Sequence, residues 1–204
     1  MVKRITIGVI GIQGAVSEHL TSMRKILEET NNSGEVFIVR NKDDIKKIDA
    51  LIFPGGESTI ISRILYKSGL YAAISERLKE DNLPILGTCA GCVILASEMT
   101  DNKKNVKLLS AIDMNVKRNA FGRQRDSFEK SIDIKGFSKP YNAVFIRAPA
   151  IEKVWGDCKI LAKIDNKIAM VRQGKILAMS FHPELTDDLR IHKYFLDIIL
   201  KNIS

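Results

Sequence analysis

The sequence predicts an α/β fold with a mixed, largely parallel central sheet flanked by helices. Three observations predict it. The first half alternates short apolar runs with segments of helical period. Its strand-like runs are continuously apolar, as in a parallel sheet covered on both faces. The second half changes to short strand-like runs separated by turn signals. No Pro/Gly/Ser linker, repeat or low-complexity tract divides the two, so one domain is expected over residues 1–204.

Each element follows from local pattern. Ile5–Ile10 is an apolar run ending in glycines, and Ala15–Glu29 carries Val16, Leu20, Met23 and Leu27 at helical spacing. Val36–Val39 and Ala50–Phe53 are the next strands, the second ending in Pro54-Gly55-Gly56. Helices are predicted over Thr59–Lys67 and Leu70–Glu80, a buried strand over Pro84–Gly87, and a helix over Ala90–Met99. Further strands are predicted at Asp113–Lys117, Ser131–Lys135, Ala143–Arg147, Lys159–Ile164, Ile168–Arg172 and Ile176–Phe181. Asp165-Asn166 and Gln173-Gly174 sit where hairpins would turn. Leu189–Leu200 closes the chain as an amphipathic helix.

Composition narrows the function class. Hydrophobic residues make up 45% and charged residues 27%, the range of soluble globular chains. No apolar run approaches the length of a membrane span. The basic, apolar start lacks a small-residue cleavage site and reads as an opening strand, so a cytoplasmic setting is expected. The net charge of +8 comes from scattered lysines with a denser stretch from Lys103 to Lys130. No nucleic-acid-reading module accompanies it, and a solvated surface is the plainer account. Three cysteines, Cys89, Cys92 and Cys158, are an odd count and form no disulfide framework.

The densest chemical signal is Gly87-Thr88-Cys89-Ala90-Gly91, a buried strand running into Gly-x-Cys-x-Gly with a helix directly after it. This is a nucleophile elbow with Cys for Ser. The glycines on either side let the chain pass close to a tight, strained turn. The sulfur then sits at the positive end of a helix, the electropositive setting of reactive cysteines. The same segment supports two other readings. Cys89-Ala90-Gly91-Cys92 is also a C-x-x-C at a strand–helix junction, which suits redox chemistry, and a buried free cysteine is often just a small apolar residue. A zinc site lacks its second ligand pair.

His182-Pro183-Glu184 supplies what a cysteine nucleophile requires. The imidazole manages the proton and the carboxylate fixes its tautomer. The segment follows the strand Ile176–Met179, and strand ends are where α/β active sites form. Two residues apart in an extended segment, His182 and Glu184 would point to the same side. His19 and His192, each inside a predicted helix, read as structural or exposed residues. Phe53-Pro54-Gly55-Gly56-Glu57-Ser58 joins a strand to a helix, and its glycines can turn an N–H toward an oxyanion, with the Ala90 N–H as second donor. An ordinary Gly-Gly turn with Ser58 as helix cap is the plainer reading of that loop. Gly8, Gly11 and Gly14 have the wrong spacing for a dinucleotide fingerprint.

Together these residues resemble the class I, triad-type glutamine amidotransferases. The resemblance rests on Pro-Gly-Gly-Glu-Ser at 54–58, Gly-Thr-Cys-Ala-Gly at 87–91 and His-Pro-Glu at 182–184. Four further segments resemble the glutaminase subunits of pyridoxal phosphate synthases. They are Gly11-Ile12-Gln13-Gly14-Ala15-Val16 with Glu18-His19, Arg118-Asn119-x-Phe121-Gly122-Arg123-Gln124, Phe145-Ile146-Arg147-Ala148-Pro149, and His182 to Thr186. The similarity runs from about residue 5 to 196. Cys92 departs from it, standing where the pattern has a larger apolar residue, and Val93 stands where other class I members carry Gln.

The resemblance implies a flavodoxin-like α/β architecture and a glutaminase. In it Cys89 is the nucleophile, His182 the base and Glu184 its orienter. Gly56, Glu57, Ser58, Arg118, Ile146 and Arg147 bind glutamine, and the Gly56 and Ala90 N–H groups hold the oxyanion. No metal or other cofactor is implied. The ammonia goes to a partner synthase with a (β/α)8 barrel in a multi-subunit complex, which builds pyridoxal 5'-phosphate (vitamin B6). The glutaminase works poorly until docked there, with the Gln13-Gly14 loop as a contact. A glutaminase serving another amidotransferase, or a C-x-x-C redox protein, is the alternative.

Overall fold

The computed structural model describes residues 4–80, 83–100, 102, 105–118 and 127–203. Asn119, the segment 121–124 and part of the basic stretch 103–130 lie outside them. A ten-stranded mixed sheet takes strands from residue 5 to residue 179. Its parallel half is β2 (Gly34–Val39), β1 (Ile5–Ile10), β3 (Ala50–Phe53), β4 (Ile85–Thr88) and β12 (Ile176–Met179), in that order. Beyond β12 come β11 (Lys167–Gln173), β9 (Ala150–Val154), β6 (Ile112–Lys117) and β5 (Ala96–Thr100), and β10 (Lys159–Ile164) pairs with β11. β12 is the seam, parallel to β4 and antiparallel to β11. β7 (Ser127–Ile132) and β8 (Tyr141–Ile146) form a separate antiparallel pair.

Alternation along the strands feeds two apolar layers, one on each face. In β3, Ala50 and Ile52 join one cluster, and Leu51 and Phe53 the other. The first layer is closed by α1 (Val16–Glu29) and α6 (Arg190–Ile203), which touch each other, with Phe145 and Tyr141 of β8 beside them. The second is closed by α3 (Ser58–Lys67), α4 (Leu70–Lys79) and α5 (Ala90–Leu95). The short α2 (Lys42–Ile45) has no apolar periodicity to announce it; a reciprocal capping box between Asn41 and Asp44 holds it.

Several expectations need correcting. The helix predicted over Ala90–Met99 stops at Leu95, and Ala96–Thr100 becomes an edge strand paired with β6. An unbroken apolar run such as Val93–Ala96 fits helix and strand equally, and pairing decides. The strand predicted over Ser131–Lys135 is shifted toward the N-terminus to Ser127–Ile132, where Phe128 stacks on Phe145 at 4.7 Å. Ile134 makes only an isolated bridge to Ala162. β9, between β6 and β11, was not anticipated. The Asp165-Asn166 turn is as expected, both residues having positive φ, 45° and 65°. Among the described residues no helix is long and apolar enough to cross a membrane.

Candidate active site

Because β1, β3, β4 and β12 are parallel, their C-terminal ends deliver four loops to one edge. The loop after β4 is the elbow. Cys89 has φ 49° and ψ −105°, a conformation that L side chains avoid. Its N–H donates to the Met179 carbonyl at 2.9 Å, tying the strained residue to the seam strand. The flanking glycines are required by close approach, since a Cβ at Gly91 would run into the Phe53 carbonyl oxygen and one at Gly87 would lie 3.0 Å from the Gly91 carbonyl oxygen. Ala90 opens α5, so its N–H has no partner within the helix. The Cys89 Sγ lies 3.7 Å from the Ile146 carbonyl oxygen at the end of β8.

The loop after β12 brings the imidazole. The His182 N–H donates to the Val144 carbonyl at 2.8 Å, so the segment is pinned to β8. Its side chain meets Glu184 through Nδ1 and Oε1 at 2.8 Å. The contact is not the same-side pairing of an extended segment. Pro183–Leu185 is a single 3₁₀ turn, because Pro183, with fixed φ and no N–H, starts a turn readily, and the turn folds the carboxylate back under the ring. His182 is 8% exposed and Glu184 5%. Burial pulls the His182 ring toward neutrality, but the Cys89 sulfur and the Glu184 carboxylate outweigh it and push it up to about 10. Glu184 is held below the ordinary carboxylate range: burial opposes this, and His19 and His182 overcome it. The ring stands between a carboxylate and a sulfur, both of which favour its protonated form.

The loop after β3 lies against both groups. A Cβ at Gly55 would stand 2.6 Å from His182 Cε1 and 3.4 Å from Cys89 Cβ, so the bare Gly55 lets the ring lie close to the cysteine. Gly56 takes φ 133°, which glycine tolerates. Glu57, not Ser58, caps α3, accepting from the Ile60 N–H at 3.0 Å, and Ser58 is buried in the first turn. The Glu57 N–H donates to Gln13 Oε1 at 3.0 Å, which joins the loop after β1 to the loop after β3. Arg118 reaches the same loop, 3.1 Å from Thr59 Oγ1 and 3.6 Å from Glu57 Oε1. Ile146 and Arg147 end β8 beside the cysteine, Arg147 with φ 43°.

Two histidines that the sequence reads as structural or exposed belong to this cluster. His19 and His192 are fully buried, and His19 Nε2 stands 3.3 Å from Glu184 Oε2. Helical spacing placed both on apolar faces: His19 falls in step with Val16, Leu20 and Met23, and His192 with Phe195 and Leu196. Cys92 is buried inside α5, and burial pushes its thiol up, against the thiolate a redox pair requires. Among the described residues, no group of three or more His, Cys, Asp or Glu side chains is placed to hold a metal ion.

Residues 9–201 match the SNO glutamine amidotransferase family. The chain belongs to that family. It is 46% identical over 201 residues to the pyridoxal 5'-phosphate synthase subunit PdxT of Methanosarcina barkeri, covering 96% of this chain and 98% of that one. The PdxT of Pyrococcus furiosus is 44% identical over 197 residues, covering 96% and 100%. A crystal structure of a glutamine amidotransferase superposes with TM-score 0.84 at 38% identity, over 95% of this chain and 98% of that one. The Thermotoga maritima glutamine amidotransferase, TM-score 0.63 and 16% identical over 99% and 87%, shares the fold. The family membership agrees with the arrangement of elbow, imidazole and glycine loop on one sheet edge.

Proposed function

We propose that this chain hydrolyses L-glutamine to glutamate and ammonia through Cys89, His182 and Glu184, and passes the ammonia to a pyridoxal 5'-phosphate synthase subunit built as a (β/α)8 barrel. The observation that carries the reading is the buried 2.8 Å contact of His182 with Glu184 beside a cysteine held at positive φ. The names of the similar PdxT chains supply the synthase.

The Cys89 thiolate attacks the side-chain amide carbon of glutamine, forming the S–C bond and an oxyanion. The Gly56 and Ala90 N–H groups receive that charge, each donor contributing about 10²–10³ in rate. His182 gives its proton to the amide nitrogen, the C–N bond breaks, and ammonia leaves behind a glutamyl thioester. The neutral ring then takes a proton from water, hydroxide adds to the thioester, and the C–S bond breaks to release glutamate and restore the ion pair. Such proton transfer is worth about 10²–10⁴. Arg118 and Arg147 supply charge for the substrate carboxylate, with Glu57, Ser58 and Ile146 shaping the pocket. This half-reaction requires no metal or organic cofactor.

Dependence on the partner has a route. Gln13 holds the Glu57 N–H, so a synthase seated on the Gln13-Gly14 loop acts on the loop that carries Gly56. The test is glutamate release with and without the cognate synthase, for wild type and Cys89→Ala. Wild-type turnover only in the complex, with Cys89→Ala silent, is expected. Equal turnover without the synthase removes the dependence, and activity in Cys89→Ala removes the triad.

A further inference from the structure

The buried polar cluster extends past the three residues of the proposed triad. His19 of α1 lies between three groups. Its Nε2 is 3.2 Å from Thr88 Oγ1 and 3.3 Å from Glu184 Oε2, and its Nδ1 is 3.3 Å from His192 Nε2 of α6. Glu184 Oε2 is itself buried with no hydrogen bond of good geometry. A neutral imidazole offers one N–H and one lone pair, so the tautomer decides what the carboxylate meets. With the proton on Nε2, the N–H dipole faces Thr88 Oγ1 and the carboxylate oxygen, and Nδ1 accepts from His192. With the proton on Nδ1, a lone pair would face a buried carboxylate, at a cost comparable to an unmade hydrogen bond. In the first arrangement His182 meets one oxygen of Glu184, the His19 Nε2–H bonds to Thr88 Oγ1 with its positive end 3.3 Å from the other oxygen, and His192 donates to His19 from behind.

We propose that His19 is a positioning residue for glutamine hydrolysis, its Nε2–H fixing the second oxygen of Glu184 so that the first can orient His182. The inference rests on the triad reading above and deepens it. Thr88 immediately precedes Cys89, so the same nitrogen also ties the end of β4 to the carboxylate, coupling nucleophile and orienter through one ring. Burial favours the neutral rings this requires, lowering His19 and holding His192 at about 3. The groups facing this cluster are His182 after β12, His192 of α6, Tyr141 of β8 and Cys89 at the elbow, with Glu18 next to His19 on α1.

Two measurements test it. Glutamate release by the complex with the cognate synthase is followed across pH for wild type, His19→Met and His19→Gln, with melting temperatures as a fold check. His19→Met should lower kcat about ten- to a hundredfold with little change in KM, and move the acid limb of the kcat profile to higher pH, since Glu184 loses a partner that favours its charge. His19→Gln keeps an N–H near the Nε2 position and should recover most of both. Wild-type kcat and an unmoved limb in His19→Met, or no recovery in a well-folded His19→Gln, would overturn the proposal. Nitrogen-15 NMR of the wild-type imidazoles requires no variant: an Nε2-protonated, neutral His19 supports it, and an Nδ1-protonated or charged ring overturns it. A wild type that releases no glutamate with its synthase sinks the triad reading itself, whereas an active wild type with an indifferent His19→Met sinks this inference alone.

Discussion

The parallel half of the sheet and its mixed half do different work. In the parallel half every strand end points the same way, so four loops separated by up to about 170 residues of sequence meet at one edge. Beyond the seam the directions are mixed, with β11, β9 and β6 alternating and β5 parallel to β6, and the Ile146-Arg147 corner comes to the cysteine from the separate β7–β8 pair. The seam strand β12 belongs to both, and the His182–Glu184 pair hangs from its end. Topology thus gathers Cys89, His182 and Glu184 at the parallel edge, while Arg118 reaches that edge from the end of β6.

That division is open to substitution. The largest expected effect is at Gly55, where a Cβ would lie 2.6 Å from His182 Cε1. Gly55→Ala should displace the ring and lower kcat about a hundredfold, as misplacing a reacting group by an ångström does. Gly136, between β7 and β8 and away from the parallel edge, has φ 90° and nothing within 4 Å of its added Cβ. Gly136→Ala should cost about 1 kcal/mol of stability through backbone strain and leave kcat alone. Steady-state kinetics beside thermal melts of both variants check the contrast, and equal kinetic losses would break it.

Smaller effects sharpen it. Arg147→Ala should raise KM for glutamine about tenfold with a lesser change in kcat, the loss of a charged hydrogen bond to the substrate. Phe128→Ala, which removes the stack on Phe145, should cost roughly 2 kcal/mol of stability and leave KM and kcat within error. The pH dependence of stability has two sides. The His182 ring is raised, so its contribution is full below its unfolded pKa of about 6.5 and is lost as pH rises through about 10. His192 is lowered, so its contribution is full above about 6.5 and is lost as pH falls toward about 3. Melting temperature against pH should therefore fall on both sides of neutrality, and His182→Ala should remove the alkaline slope.

How much could be read from sequence follows the same boundary. Strands buried on both faces are continuous apolar runs with glycine-rich ends, and Ile5–Ile10 and Ala50–Phe53 have the predicted bounds. The outer strands carry half-exposed polar residues whose pairing is long-range, so local pattern reads β5 as a helix end, sets β7 a few residues late and gives no signal for β9. At the site, Cys89, His182 and Glu184 were legible because each sits in a short motif with chemical meaning. His19 and Gly55 were not, because their role lies in contacts with residues 165 and 127 positions away, Glu184 and His182. Helical position alone leaves His19 either structural or exposed, and only the fold shows it buried against Glu184.

The most direct test of the central claim is covalent labelling with a diazoketone analogue of glutamine, which alkylates the nucleophile that attacks the amide carbon. With the synthase present, loss of glutaminase activity should accompany one adduct located on Cys89 itself by fragmentation, with Cys92 and Cys158 unmodified. Inactivation with the adduct elsewhere, or full activity with Cys89 labelled, would contradict the account.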